Sequence, residues 1–98
     1  MREDELYRNA NLKSLDVAKK IGLTVHQFSS FLNDVLGKNF ALFVNEYRID
    51  HAKKMLIDSH NLTLESIGYE SGFNSKSTFF STFKKLVGTT PAKYSSLN

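Results

Sequence analysis

The sequence predicts an all-α fold of about seven helices, built as two helix-turn-helix units joined by one long helix. The main observation is an internal repeat, because one pattern occurs over residues 15–43 and again over residues 64–94. Each copy has a short apolar-periodic helix, then a glycine and an apolar residue, then a polar turn and a longer helix. The longer helix ends in both copies at a glycine, Gly37 or Gly88. Two helices joined by a tight glycine-containing turn form a helix-turn-helix.

The first unit is expected to contain three helices. The first is predicted over residues 3–10, and the second over residues 14–21 with Ser14 as its N-cap. Thr24 is expected to cap the third helix, with Gln27 three residues later completing a capping box. Because loss of such a cap costs about 1 kcal/mol, Thr24 is expected to fix where the third helix begins.

A long helix is expected to join the two halves of a single domain, residues 1–98. The predicted division is a first unit over residues 1–39, a linker helix over residues 40–58 and a second unit over residues 59–98. Apolar residues recur at near-helical spacing through the linker. These residues are Phe40, Phe43, Val44, Tyr47, Ala52 and Leu56.

The second unit is expected to repeat the capping pattern of the first. Thr63 is expected to cap the fifth helix, and either Asn74 or Ser75 the sixth. Pro91 takes the first position of the last helix after a Thr90 cap. At that position the missing N–H of proline costs no hydrogen bond.

Composition limits the class of protein. The 98 residues, 41% of them hydrophobic, are enough for one domain that buries roughly 60–65% of the surface of its unfolded chain. The absence of cysteine excludes a disulfide scaffold and a cysteine-based zinc site. No apolar run approaches the roughly 20 residues of a membrane helix, and the acidic residues 3–5 are unlike a signal peptide. A soluble, cytoplasmic chain is therefore expected.

Positive charge is concentrated towards the C-terminal end. After Glu70 the chain has four lysines and no acid; the remaining nine of its 13 bases precede that point, together with all ten acids. Such asymmetry is typical of a protein that binds a polyanion. A lysine-rich solvated face would give the same pattern.

Both longer helices have an apolar stripe and a polar face. The stripes, expected to be buried, consist of Phe28, Leu32 and Val35 in the first copy and Phe79, Phe83 and Leu86 in the second. The candidate DNA-binding residues of the first copy are His26, Gln27, Ser29, Ser30 and Asn33. Those of the second copy are Ser75, Lys76, Ser77, Thr78, Phe80, Ser81, Lys84 and Lys85.

These side chains suit the DNA major groove, into which the second helix of a helix-turn-helix fits. Ser and Thr can hydrogen-bond either base type, Asn and Gln pair with adenine, and Lys contacts guanine or phosphate. A polar outer face with no binding role is the alternative for each of them. Phe80 lies at the edge of its face, where it would contact either a thymine methyl or the linker helix.

A set of spaced residues carries a resemblance over residues 12–96. In the second half it comprises the run Ile67-Gly68-Tyr69-Glu70-Ser71-Gly72-Phe73, then Phe79, Phe83-Lys84-Lys85, Gly88, Thr90-Pro91 and Tyr94. In the first half it comprises Val17-Ala18, Gly22-Leu23, Gly37, Phe40, Tyr47-Arg48-Ile49, Ala52 and Leu56. Together these residues closely resemble the AraC/XylS transcription regulators. The resemblance implies two recognition helices in successive major grooves of double-stranded DNA, control of transcription initiation, and RNA polymerase as a partner.

The chain departs from that family pattern at several positions. Many members have arginine where this chain has Ser81, and often near Ser30, so direct base recognition is expected to depend on Lys76, small hydroxyls and DNA shape. Gly68 replaces the usual alanine, at a cost to helix stability of up to about 1 kcal/mol. Ser95 stands where an arginine is common, so one phosphate contact is expected to be missing.

Other kinds of site have little support. The only histidines are His26, His51 and His60, and the neighbours Asp50 and His51 are expected to form a solvated pair, so no metal site is predicted. No phosphate-cradling glycine loop or paired-carboxylate cleft is present, hence neither an enzyme nor a cofactor is expected.

The competing function is a helical protein-interaction module that docks on RNA polymerase or another regulator. No ligand-sensing domain is expected within this chain, which is either a stand-alone short member or the C-terminal part of a longer regulator.

Overall fold

The computed structural model describes residues 5–58 and 61–97, and this part of the chain is all helical. The six α-helices are α1 (Ser14–Lys20), α2 (Val25–Phe31), α3 (Phe40–Asp58), α4 (Leu64–Glu70), α5 (Lys76–Val87) and α6 (Pro91–Leu97). The predicted all-α fold, with two helix-turn-helix units on one long linker helix, is confirmed. The units are formed by α1 with α2 and by α4 with α5.

Each unit has its own hydrophobic core, and α3 contributes to both. The first core contains Val17, Ala18, Phe28 and Leu32, with Phe40 and Phe43 from the beginning of α3 packed against it. The second contains Ile49, Ala52 and Leu56 from the remainder of α3, together with Ile67, Phe73, Phe79 and Phe83. The resulting molecule is elongated, with extents of 42 × 22 × 21 Å.

Most helix starts lie where the capping residues predict them. The Thr24 hydroxyl accepts from the N–H of Gln27 at 3.1 Å, and the Gln27 side chain accepts from the N–H of Thr24 at 3.0 Å, so the predicted capping box is present. Thr63 and Ser75 cap α4 and α5 in the same way, through the N–H groups three residues later. Ser75, rather than Asn74, is therefore the cap of α5. At the start of α6, the Thr90 hydroxyl accepts from the N–H of Lys93 at 3.2 Å.

Two predictions about the N-terminal part of the chain are wrong. Within the described residues, the predicted first helix is only a 3-10 turn, Leu6–Arg8; residues 3 and 4 lie outside the described part. Ser14 is the first residue of α1 and not its cap, because Lys13 occupies the N-cap position. The Asp16 carboxylate, in the first turn of α1, accepts from the Lys13 N–H at 2.9 Å. This hydrogen bond stabilises the start of the helix.

The prediction that the third residue of each apolar stripe is buried is also wrong. After α2 the chain continues as a π-helical turn, Leu32–Leu36, in which each residue rotates less about the axis. Val35 therefore does not return to the side of Leu32, and 66% of it is exposed. In α5 the core side follows spacings of four residues, so Val87 packs on the core while Leu86 is 37% exposed.

Candidate nucleic-acid interface

The two helix-turn-helix turns have the same backbone hydrogen bonds. In the first, the N–H of Leu23 donates to the Ala18 carbonyl at 2.9 Å; in the second, the N–H of Phe73 donates to the Gly68 carbonyl at 3.0 Å. The preceding glycine of each turn has a positive φ, 77° at Gly22 and 107° at Gly72. This is the Schellman arrangement, in which a glycine adopts the left-handed conformation and the following apolar residue packs back on the helix.

The second turn is longer by one residue. Thr24 directly follows Leu23 and caps α2, whereas Asn74 stands between Phe73 and the cap Ser75. The repeat is therefore identical in backbone pattern up to the apolar residue of the turn and differs only at the entry to the second helix. Each second helix nevertheless begins with a hydroxyl cap directly after its turn.

The predicted polar face of α2, the first candidate recognition helix, is exposed together with Asn33 of the turn that follows it. Phe28 and Leu32 anchor the opposite side in the core, with 3% and 2% exposure. The residues on the solvent side are His26, Gln27, Ser29, Ser30 and Asn33. The side-chain oxygen of Gln27 is held by the capping box, so its amide N–H groups are the part directed to other partners.

The second recognition helix, α5, also presents its polar face to solvent. Phe79 and Phe83 are fully buried on its other side. The exposed candidates are Lys76, Ser77, Thr78, Ser81, Lys84 and Lys85, while Ser75 is half-buried.

Several of the α5 hydroxyls already make hydrogen bonds within the helix. The Ser75 hydroxyl lies 2.9 Å from that of Thr78 and accepts from the Thr78 N–H at 3.1 Å. The Ser81 hydroxyl donates to the Thr78 carbonyl at 3.2 Å. Because a hydroxyl has one donor and two acceptor positions, Ser81 retains its acceptor positions for an external donor. Ser77 and the lysines are the polar groups of this face that make no such internal bond in the described part of the chain.

Phe80 and Lys85 border the polar face on its two sides. Phe80 is half-buried and packs against the second core, with its ring centroid 5.7 Å from that of Phe79. The Lys76 ammonium lies 5.4 Å from the centroid of the Phe80 ring. Lys85 lines a groove towards α3, where Leu42 and Asn45 form the other side. Phe80 therefore has a packing role, and Lys85 lies at the groove between α5 and the first part of α3.

The two recognition helices differ in charge. Lys76, Lys84 and Lys85 lie on α5, which has no acidic residue, and none of the three is ion-paired within the described ranges. The first copy has Asp34 in the turn that continues α2. Its neighbour Lys38 forms an ion pair with Glu46 of α3. The second unit therefore presents the stronger positive charge for a polyanion.

Two arginines that support this arrangement were not among the predicted site residues. Arg48 of α3 and Arg8 of the N-terminal segment make hydrogen bonds and ion pairs to partners 39 to 62 residues away. Helical periodicity reports on neighbours three or four residues apart, so no local pattern could pair them. Arg48 lies within the family motif, but the sequence alone assigns it no contact.

The predicted solvated pair of Asp50 and His51 is wrong. Asp50 is exposed, but the His51 side chain is only 18% exposed and lies beside Tyr7, 3.2 Å from Nδ1 to the tyrosine hydroxyl. Burial lowers the pKa of His51, and the nearby Arg8 charge adds to the effect.

Histidine 60 is outside the described residues, and among those described no group of three or more His, Asp or Glu side chains could hold a metal. None of the described helices is long and apolar enough to cross a membrane.

Comparison with known proteins assigns the family. A model described as a helix-turn-helix domain matches residues 17–96. The chain belongs to the AraC-type helix-turn-helix family of DNA-binding transcription regulators. The melibiose operon regulatory protein of Escherichia coli is similar to it, with 31% identity over 83 residues that cover 85% of this chain and 27% of that protein.

Solved structures share the fold. The C-terminal domain of AraT, a response regulator from Geobacillus stearothermophilus, superposes with a TM-score of 0.85 at 21% identity, over 99% of this chain and 81% of that one. The DNA-binding domain of AdpA, a global transcriptional factor, was solved in complex with a target DNA. It superposes with a TM-score of 0.80 at 16% identity, over 92% of this chain and 79% of that one. The chain spans only 27% of the melibiose regulator and 12% of a matching HTH-type regulator of Staphylococcus aureus.

Proposed function

We propose that this chain binds double-stranded DNA through both helix-turn-helix units and thereby regulates transcription initiation. In this proposal the N-terminal parts of α2 and α5 enter successive major grooves on one face of the duplex. The whole chain acts as one DNA-binding domain in the cytoplasm, with residues 40–58 as its linker. The contacts are non-covalent, and no cofactor takes part.

The observation that carries the proposal is the repeated geometry of the two units on one continuous helix. Both have the same Schellman turn followed by a hydroxyl-capped helix whose polar face is exposed. The 19 residues of α3 form a rod about 28 Å long, and the molecule extends 42 Å. Successive major grooves on one face of DNA are about 34–36 Å apart, so the molecule is long enough for two insertions.

The proposed contacts follow from the exposed chemistry of each face. In the first unit His26, Ser29, Ser30 and Asn33 offer hydrogen-bonding groups to base edges, with the amide of Gln27 beside them. In the second unit the hydroxyls of Ser75, Ser77, Thr78 and Ser81 do so. Lys76, Lys84 and Lys85 supply positive charge for phosphates or guanine. AdpA, which shares the fold at low identity, was solved with DNA, and this supports the same use of the fold here.

Selection of bound sites from a random DNA pool tests this function and returns the preferred sequence. Footprinting on that sequence should show two protected half-sites about 10–10.5 base pairs apart on one face, without two-fold symmetry. Insertion of about half a helical turn between the half-sites should reduce affinity to that of one unit, because rigid α3 cannot follow the rotation. A single short contact, or a strict need for a palindrome, contradicts the tandem arrangement.

RNA polymerase is the proposed protein partner, because the family consists of transcription regulators. A purified transcription assay on a promoter bearing the selected site should show a change in initiation that is lost when the site is scrambled. The competing function, docking on RNA polymerase or another regulator without DNA contact, makes a different prediction about salt. Phosphate contacts give log affinity a slope near −0.9 per phosphate in log salt concentration, and a protein dock without DNA would show no DNA affinity to titrate.

A further inference from the structure

The segment Glu5–Asn9, here called the N-terminal segment, precedes the first unit in sequence but contacts the second. The Arg8 Nε donates to the backbone carbonyl of Glu70 at 2.7 Å, and an Arg8 terminal nitrogen pairs with the Glu70 carboxylate at 2.6 Å. Glu70 is the last residue of α4, directly before the helix-turn-helix turn. The N-terminal segment is thus attached to the second unit, next to its turn.

Arg48 of α3 fixes the backbone of the N-terminal segment. Its Nε donates to the Tyr7 carbonyl at 2.7 Å, and a terminal nitrogen donates to the Asn9 carbonyl at 3.0 Å. The same guanidinium lies 5.9 Å from the centroid of the Phe73 ring, the apolar residue of the α4–α5 turn. Arg48 therefore contacts the N-terminal segment and the turn together. A planar group with five donors can make such a set of contacts in one fixed geometry.

Gly72 shows how closely the N-terminal segment approaches the turn. A Cβ atom built on Gly72 would lie 2.2 Å from the Tyr7 carbonyl oxygen and 2.9 Å from both the Arg8 Cα and the Arg48 Nε. Tyr7 itself is 6% exposed, so the segment is packed on the protein as well as hydrogen-bonded to it. The backbone of residues 7 and 8 thus lies directly on the turn that leads into α5.

We propose that Arg8 and Arg48 are positioning residues for the second recognition helix. By holding the α4–α5 turn against α3, they set the orientation of α5 relative to the first unit. Displacement of the N-terminal segment then lowers the affinity of the second unit for its half-site and leaves the first unit unchanged. This proposal rests on the proposed function, since it concerns how the second unit binds DNA.

The test compares Arg8→Ala with Lys13→Ala, a matched control that removes one positive charge from an exposed residue just before α1. Each variant is titrated with the selected DNA site and with two versions in which the first or the second half-site is scrambled. Arg8→Ala should weaken binding about fivefold wherever the second half-site is intact, and should leave binding to the first half-site alone unchanged. Lys13→Ala should show no such half-site dependence.

Salt dependence separates positioning from direct phosphate contact. A positioning residue leaves the slope of log affinity against log salt unchanged, whereas loss of a phosphate contact reduces its magnitude by about 1. An unchanged affinity, an equal loss on both half-sites or a reduced slope in Arg8→Ala overturns the proposal. Arg8→Lys, which keeps the charge but not the two-point contact with Glu70, should show the same half-site pattern with a smaller loss.

Hydrogen exchange tests the same proposal without DNA. The amides of residues 72–76 should exchange faster in Arg8→Ala than in the wild type, while those of residues 22–26 keep their rates. Equal rates in residues 72–76 overturn the positioning role. If the wild type binds no DNA, the proposed function fails, and the exchange measurement still decides whether Arg8 holds the turn.

Discussion

Gly68 of α4 lies directly against the ring of Phe79 in α5. A Cβ atom at position 68 would be 2.6 Å from the Phe79 Cδ2 and 2.8 Å from its Cγ, and the phenyl ring is fully buried. The absent side chain therefore allows α4 and α5 to pack as closely as they do. This chain therefore has a glycine beside a buried aromatic ring.

Gly68→Ala is expected to destabilise the protein although alanine is the better helix former. Alanine gains up to about 1 kcal/mol in helix propensity, but overpacking a filled core costs typically about 1–3 kcal/mol. Urea unfolding should therefore show a net loss of about 1 kcal/mol. In a Phe79→Ala background, which lacks the Cγ and Cδ2 atoms that the new Cβ would meet, the Gly68→Ala change should be less costly in a double-mutant cycle. An increase in stability for Gly68→Ala alone would show that the ring can move aside.

Lys84→Ala and Lys85→Ala are expected to weaken DNA binding more than Lys19→Ala and Lys20→Ala. The α5 helix has three lysines and no acid, whereas the first copy has Asp16 and Asp34 in addition to its lysines. Each lost phosphate contact should reduce the magnitude of the salt slope by about 1 on every DNA sequence. Titrations at several salt concentrations measure this, and equal losses from the two pairs would contradict unequal contributions of the units.

Phe80→Ala is expected to lower the melting temperature and to leave base preference unchanged. The Phe80 ring is half-buried against the second core, and the Lys76 ammonium makes a cation–π contact with it. The structure therefore favours packing over a thymine contact. Affinity should be compared on sites with thymine and on sites where uracil, which lacks the methyl group, replaces it. If the wild type distinguishes the two sites and Phe80→Ala does not, the ring contacts the thymine methyl.

Stability is expected to fall below neutral pH because of His51. Its pKa is lowered in the folded protein, so the unfolded chain takes up a proton at this site as pH falls through about 6.5 while the folded chain does not. The contribution is complete above about pH 6.5 and is lost as pH decreases towards the folded pKa. Between pH 8 and 5.5 the free energy of unfolding should therefore decrease more for the wild type than for His51→Gln. The same decrease in both would show that His51 is not the source of the effect.

Local chemistry explains why the sequence predicts the helix order so well. Thr24, Thr63 and Ser75 each bond the N–H three residues later, and Pro91 begins α6, because caps and proline depend on a few adjacent residues. Ser14 and the predicted first helix fail for a related reason. A serine marks a possible N-cap, but the residue at which the helix begins also depends on the hydrogen bonds of its first turn, and here those place Lys13 at the N-cap. The short segment before α1 is held by contacts with residues far away in the sequence.

The sequence by itself determined the all-helical fold, the repeat and the polar faces of the recognition helices, since these follow from periodicity and from caps within one turn. Tertiary structure alone decided which apolar residues reach a core: the π-turn exposes Val35, and the four-residue spacing in α5 exposes Leu86. It also decided that Arg8 reaches Glu70, 62 residues away. Such a contact depends on how the chain between them folds and brings α4 to the N-terminal segment, and no local pattern encodes that proximity.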